Sequence, residues 1–291
     1  MNRKWYFIAS RAAGTPGPTG ASIYRCGASV ERPATLTGVM RFGSSSKASI
    51  NRLLTKGGPN LLELLKDIFQ FFKKNLWPIS ILTLAIEFPY ILIQNIHYFS
   101  NTSSEFSNNV GFILLVATLI IYPLSTGAQI SLYAMIIRGT QIDLKKCVYN
   151  SRKYLFNLVV GSLIYISFTF LGLLAFIVPG IIIAVRLSFY CFFIVLDDLK
   201  PVDALKKSAQ VTKGYTWQIA NSLIIVGFLL VASLLLIQLF LNQIGLYNLY
   251  FATLVDSLFS ILGWLSLILV FRFYCLYKEK VKGESDPPSV S

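Results

Sequence analysis

From about residue 61 onward the chain alternates long apolar runs with short charged segments. A helix needs about 20 apolar residues to cross a bilayer, and five of the six runs exceed that length. The six runs are Trp77–Phe99, Val110–Ile137, Leu155–Val178, Gly180–Leu196, Trp217–Leu241 and Leu246–Phe273. Because these runs occupy most of this region, the pattern predicts an all-α fold, a bundle of six transmembrane helices.

Proline and glycine punctuate the runs. Pro89 lies inside the first run, and Pro123 and Gly127 lie inside the second, so we expect kinks or a break there. The triplet Val178-Pro179-Gly180 separates the third run from the fourth and predicts a tight turn between two spans.

Three charged segments precede spans one, three and five, and each has a helical pattern. The first, LLELLKDIFQFFKKN, places four apolar residues on one face, namely Leu61, Leu65, Ile68 and Phe72. The other two are Asp143–Lys153 and Pro201–Lys213. Such helices are too charged to cross a membrane, so we expect three amphipathic helices lying in its interface on one side.

The three charged helices also align with one another. With Lys66, Lys145 and Lys206 in register, a basic residue follows at the same offset in each, and an aromatic residue opens the next span (Trp77, Phe156 and Trp217). Each helix is followed by two spans, which predicts a threefold repeat with units 61–138, 140–199 and 200–280. The alternative is that basic, aromatic-flanked loops occur between spans without any repeat.

Charge distribution predicts the orientation. Lysines and arginines flank the three charged helices and follow span six, whereas the other three connections have none. The positive-inside rule then places both termini in the cytoplasm. Residues 1–60 are basic and rich in Ser, Gly and Pro, which predicts a disordered leader; 281–291 reads as a disordered tail. A cell inner membrane is the expected location, or an organelle membrane if the leader is a transit peptide.

Composition narrows the function classes. Of the 291 residues 55% are hydrophobic and 13% charged, and the net charge is +13. The basic residues lie beside the spans, where they suit lipid headgroups, so membrane lipids are the expected partners and nucleic acid is not. The four cysteines, Cys26, Cys147, Cys191 and Cys275, have no metal-ligand spacing. We expect neither a metal nor a cofactor.

Four ionisable residues fall inside predicted spans: Glu87, Arg186, Asp256 and Arg272. Charges in a bilayer are costly and usually pair inside the bundle. Arg186 and Asp256 have similar depths from the side without charged loops, which predicts an ion pair, with Glu87, nearer mid-depth, as the candidate third member. The alternative is a transport or headgroup site at these residues. Arg272 lies close enough to the membrane surface to snorkel.

The segment Pro201–Lys213 carries small residues at every fourth position, Ala204, Ser208 and Thr212. A stripe of this kind lets helices approach closely, so we expect the segment to dock against the bundle. Lys206, Lys207 and Lys213 would project toward headgroups. The alternative is a helix that is held only by its lysines at the headgroups.

These residues carry a family resemblance. Pro179-Gly180, Arg186-Leu187-Ser188-Phe189, Asp197-Asp198, Ala204-Leu205-Lys206-Lys207-Ser208, Lys213-Gly214 and Trp217 follow one another in an ordered signature. The signature resembles the YciC-like family of bacterial multi-pass membrane proteins and the related glycerophosphodiester phosphodiesterase membrane-domain family. The resemblance implies a multi-pass membrane protein of largely uncharacterised molecular function and supplies no catalytic residues. His97 is the chain's one histidine, so the paired histidines of the soluble phosphodiesterase are absent.

Two functions remain open on this basis. The first is a non-enzymatic integral membrane protein with a structural, lipid-interacting or assembly role, with a membrane protein or a second copy of the chain as partner. The alternative is a transporter or permease with a midplane site near Glu87, Arg186 and Asp256. A continuous polar path through the bundle would favour transport, whereas an ion pair sealed by aromatic residues would favour the structural role.

Overall fold

A computed structural model describes residues 61–100, 104–214 and 216–285 of the chain. The predicted leader, 1–60, lies outside the described residues, as do residues 286–291 of the predicted tail. Residues 281–285 continue the last helix. The helices, numbered along the chain, are α1 (Leu61–Lys74), α2 (Leu76–Phe99), α3 (Ser104–Arg138), α4 (Leu144–Ala175), α5 (Ile177–Leu187), α6 (Tyr190–Asp197), α7 (Pro201–Val211), α8 (Thr216–Gln243) and α9 (Leu249–Ser285).

The all-α membrane bundle is confirmed. Six helical stretches are long and apolar enough to cross a membrane, with α5 and α6 together forming the fourth. The described ranges contain helices and no strands. In α2 the exposed Trp77 and Tyr98, with 77% and 61% of their surface accessible, mark the two ends of the span. They are about 31 Å apart at the helical rise, which is the thickness of a bilayer core.

The bundle has two chemically different ends. One end carries α1, the connection between α3 and α4, helix α7 and the part of α9 around Lys278; we call it the basic end. The other carries the connections after α2, α4 and α8, which lack lysine and arginine; we call it the uncharged end. Asn248 caps α9 at this end, because its side chain accepts hydrogen bonds from the backbone N–H groups of Tyr250 and Phe251, both at 3.1 Å.

The predicted turn at Val178-Pro179-Gly180 is wrong by a few residues. The chain reverses at Phe176, whose backbone is extended, and Pro179 and Gly180 lie in the first turn of α5. Proline is tolerated there because its missing N–H has no helical partner in the first turn. Gly180 is required by packing, since a Cβ at this position would lie 2.6 Å from the Leu173 side chain.

The three surface helices differ from the prediction. The segment 143–153 is not a separate helix, because α4 runs unbroken from Leu144 to Ala175. Asp143 caps it by accepting a hydrogen bond from the Lys146 backbone N–H at 3.2 Å, which lowers the pKa of that carboxyl. Helix α1 buries Leu64, Ile68, Phe71 and Phe72 rather than resting on lipid alone. The predicted repeat unit 140–199 therefore lacks a separate surface helix at its start.

The fourth span is interrupted and the second is not. A turn at Ser188 and Phe189 divides α5 from α6. Helix α3 continues through Pro123 and Gly127 without a break. Gly127 serves close packing instead, because a Cβ there would lie 2.6 Å from the Ser151 hydroxyl of α4.

The basic end holds a dense aromatic core. Tyr133 of α3 contacts Phe71 of α1 and Phe271 of α9, with ring centroids 6.0 and 5.7 Å apart. Phe192 of α6 stacks on Phe271 at 5.5 Å and on Tyr274 at 5.4 Å. These fully or almost fully buried rings fill the bundle at this end.

Candidate functional site

Helix α2 presents a row of polar side chains to α3 and α9. Thr83, Glu87, Tyr90 and Gln94 recur at spacings of three and four residues, so they share one helical face. Their partners come from the neighbouring helices, as described below. We call this row and its partners the polar seam.

Glu87 supplies the carboxyl group at the centre of the polar seam. The hydroxyl of Ser125, on α3, donates a hydrogen bond to one carboxylate oxygen, and the hydroxyl of Ser260, on α9, donates to the other. Both partners are neutral. Among the described residues no lysine or arginine forms an ion pair with Glu87, so its carboxyl group is held by hydroxyl groups from two helices.

The polar seam ends toward the basic end at Gln129. This fully buried side chain donates to the Thr83 hydroxyl at 2.9 Å and to the Ile79 carbonyl at 3.3 Å. One helical turn further along α3 lies Tyr133, in the aromatic core. Polar side chains thus give way to packed rings, which close the polar seam on this side.

Toward the uncharged end lies Asp256, on α9. Its carboxylate accepts a hydrogen bond from the Asn95 amide of α2 at 3.0 Å and from the Gln238 amide of α8 at 3.4 Å. As at Glu87, the donors are neutral. Asp256 therefore joins three helices without an ion pair.

A cavity of about 810 Å³ opens beside Asp256, between α2 and α3. Its polar lining comes from Tyr90, Gln94, Asn95, Thr118 and Asp256, and its remaining walls are His97, Tyr98, Gly111, Leu114, Leu115, Leu119 and Tyr247. Tyr90 fixes one wall, because its hydroxyl contacts the Thr118 hydroxyl and donates to the Leu114 carbonyl at 3.2 Å. Tyr90, in the cavity wall, and Glu87 are three residues apart on the same face of α2, so the cavity lies about one helical turn from Glu87.

The predicted ion pair between Arg186 and Asp256 is wrong. Asp256 is bound by amides, and the buried Nε of Arg186 has no hydrogen-bond partner among the described residues. Arg186 instead lies near the end of α5, where its carbonyl accepts hydrogen bonds from α7. Equal depth did not bring the two residues together because α5 packs mainly on α4, α7 and α8, whereas α9, which holds Asp256, packs mainly on α1, α2 and α8. Arg272 does not snorkel either, since only 5% of its surface is exposed.

Helix α7 lies against the bundle along its small-residue stripe. Ala204, Ser208 and Thr212 are each 0% exposed. The Ser208 hydroxyl donates to the Arg186 carbonyl at 2.7 Å and accepts from the Phe189 backbone N–H at 3.0 Å. It thereby satisfies backbone groups that the turn between α5 and α6 leaves without helical partners.

The three lysines of this region separate into two kinds. Lys206 and Lys213 are exposed, as expected of headgroup-facing residues. Lys207 is not free to face headgroups, because its ammonium lies 3.4 Å from the Asp197 carboxylate and over the Phe193 ring at 5.0 Å.

Asp197, which the sequence marks only as part of the family signature, is the centre of an ion-pair cluster. Its carboxylate accepts hydrogen bonds from the Lys278 ammonium at 2.8 and 2.9 Å and from the Tyr274 hydroxyl at 3.1 Å. The Lys207 ammonium also donates to it. This cluster ties α6, α7 and α9 together at the basic end. The signal was present in the acidic pair Asp197-Asp198 at the end of an apolar run, but the distant partners in α9 were not visible.

Comparison with known proteins gives one match. A family model described as a domain of unknown function (DUF7847) matches residues 160–275, which is less than half of the chain. The matched region contains Asp197, Ser208 and Asp256 and excludes Glu87. No curated protein and no solved structure matches the chain.

Proposed function

We propose that this integral membrane protein binds a small solute in the cavity at the uncharged end and passes it along the polar seam, as a transporter or permease does. The observation that carries the proposal is the cavity of about 810 Å³ that adjoins a line of polar side chains reaching Glu87. Pockets that hold small molecules have volumes of about 300–1,000 Å³.

The chemistry of the two carboxylates supports this proposal. A carboxylate within a bilayer is expensive, and it usually pairs with a cation inside the protein when its role is structural. Glu87 and Asp256 are held by hydroxyl and amide groups instead. Each carboxyl group can therefore bind a cationic solute or a proton, which is a role for the polar seam beyond stability.

The closed basic end agrees with one state of an alternating-access cycle. In such cycles a binding site near the middle of the membrane faces one side at a time. Here the cavity opens toward the uncharged end, and the rings of Tyr133, Phe192 and Phe271 fill the other. Opening would require α1, α6 or α9 to move apart at this core.

Location and class follow as parts of the same proposal. The basic end would face the cytoplasm of a bacterial cell with both termini, in an inner membrane, consistent with the resemblance to YciC-like proteins. The role would be non-enzymatic, because the hydrogen bonds at Glu87 and Asp256 hold charge in place rather than activate a nucleophile. Lipid headgroups would contact the exposed Lys206 and Lys213.

A structural or lipid-interacting role is the second candidate. A crevice of about 540 Å³ between α2 and α9 is lined mainly by apolar residues, among them Leu84, Phe88 and Leu258, and suits an acyl chain. Helix α8 buries little of its apolar surface within the chain, so lipid or a second copy would cover it. The crevice and the exposed face of α8 suit anchoring and assembly, but these roles do not explain the polar seam.

Filling the cavity tests the first candidate. Gly111 lines the cavity, and a Cβ built on it meets nothing within 4 Å, so Gly111→Trp should occupy the space without unfolding the chain. We expect a solute that raises the melting temperature of the wild-type protein in detergent to lose that effect in Gly111→Trp. The measurement is a thermal-shift screen of small polar and charged solutes on the purified full-length chain.

Gly227→Trp is the matched control. Gly227 lies in α8, outside the cavity lining, and also has open space around its Cβ position. This variant should keep the response to the solute. A screen in which no solute stabilises the wild type, or in which both variants respond like the wild type, would favour the structural role.

A further inference from the structure

The cavity walls have a chemistry that selects among solutes. Asp256 brings a negative charge to the wall, and Tyr90, Tyr98 and Tyr247 bring aromatic rings. The residues that line the cavity, as far as the chain is described, include neither lysine nor arginine. An anionic solute would therefore meet a carboxylate, with the His97 imidazole as the one side chain of the described lining that can carry a positive charge, which is unfavourable.

An ammonium group has the opposite fit. A carboxylate attracts it, and tyrosine faces stabilise it through cation–π contacts. Asp256 is positioned for this by Asn95 and Gln238, which orient its oxygens without neutralising them. Leu114, Leu115 and Leu119 offer an apolar wall to the rest of the molecule.

We infer that the ligand of this cavity is an organic cation, an amine or quaternary ammonium compound with an apolar body, anchored by Asp256 and enclosed by tyrosine rings. This inference rests on the proposed function, because it names the solute class of the same cavity. Glu87 lies on the same face of α2 as Tyr90, further from the cavity, and its carboxyl group is the next site for the cation along the polar seam.

Matched probes test the charge requirement. Benzyltrimethylammonium is the cationic probe, and neopentylbenzene, which has the same shape without the charge, is the neutral one. Binding to the full-length chain in lipid nanodiscs would be measured by calorimetry or radioligand retention. We expect the cationic probe to bind at least about tenfold more tightly than the neutral one, since a charge interaction of this kind exceeds 1.4 kcal/mol.

Substitution at the anchor provides the second arm. Asp256→Asn keeps the shape and one acceptor oxygen for the neighbouring amides, and it should weaken the cationic probe at least about tenfold while leaving the neutral probe unchanged. Asp256→Glu restores the charge and should recover part of the affinity. Asp143→Asn is the control, because it removes the same charge from an exposed position at the basic end; it should have no effect.

The outcomes separate this inference from the proposed function. Equal binding of the two probes, no binding of either, or unchanged binding of the cation to Asp256→Asn would overturn the ammonium assignment. The proposed function would survive those results if another solute stabilised the wild type and lost its effect in Gly111→Trp. If Gly111→Trp altered the response to no solute, the proposed function itself would fail.

Discussion

Replacing Ser208 with leucine is expected to destabilise the bundle by about 3 kcal/mol or more, because the change adds volume to a full site and removes two hydrogen bonds. Ser208 is 0% exposed, with its hydroxyl 2.7 Å from the Arg186 carbonyl and 3.0 Å from the Phe189 N–H. Leucine would displace α7 from its packing position against the bundle and leave these backbone groups without hydrogen-bond partners. Thermal unfolding of the purified chain in detergent would register the loss, as would its abundance in membranes.

Gln210→Leu is the control for this experiment. Gln210 is exposed on the same helix, so the same side chain there adds apolar area without a clash. A helix held only by the membrane interface would tolerate both leucines and would suffer instead from Lys206→Gln. That pattern would show that α7 is held by its lysines at the membrane interface and not by its contact with the bundle.

Replacing Asp197 with alanine is expected to cost about 2–3 kcal/mol, slightly less than a fully buried ion pair because the cluster is partly exposed. The carboxylate side chain is 11% exposed, and the Lys278 side chain is 24% exposed. Alanine would leave Lys278, Lys207 and the Tyr274 hydroxyl without their shared acceptor. Helices α6, α7 and α9 would then lose the carboxylate that joins them, and the melting temperature should fall by several degrees.

Two variants sharpen this test. Asp203→Ala removes an exposed carboxylate from the first turn of α7 and should cost well under 1 kcal/mol through the helix dipole. Asp197→Asn keeps an acceptor for Tyr274 while removing the charge, so it should fall between the wild type and Asp197→Ala. Equal melting temperatures for Asp197→Ala and Asp203→Ala would mean that the cluster contributes nothing specific.

The parts of the fold that the sequence predicted are those set by the bilayer and by local periodicity. Six runs of apolar residues specify six spans because a bilayer core requires that length. The stripe Ala204, Ser208 and Thr212 marked the buried face of α7 because small residues in a helical register allow close approach. Both inferences depend on positions near one another in the chain.

The parts that sequence reasoning missed depend on how distant helices cross. Arg186 and Asp256 were matched by counting residues from the same membrane surface, but depth does not tell which helices are neighbours, and α5 packs mainly on α4, α7 and α8 rather than on α9. The Asp197 cluster joins residues about 80 positions apart. Glu87 was recognised as a costly charge, yet its neutral partners Ser125 and Ser260 lie on other helices and carry no signal in the sequence.

Cysteine accessibility at Thr118 tests the central claim, a cavity with a polar wall that opens at the uncharged end while the bundle is closed at the basic end. Thr118 lines the cavity and is exposed. With the native cysteines replaced, Thr118→Cys should react with a small membrane-impermeant thiosulfonate added from the side opposite the basic end. Thr140→Cys, in the connection between α3 and α4, should react from the other side, and the fully buried Gln129→Cys from neither. Reaction of Thr118→Cys only from the side that labels Thr140→Cys, or from neither side while Thr140→Cys is labelled, would contradict the account.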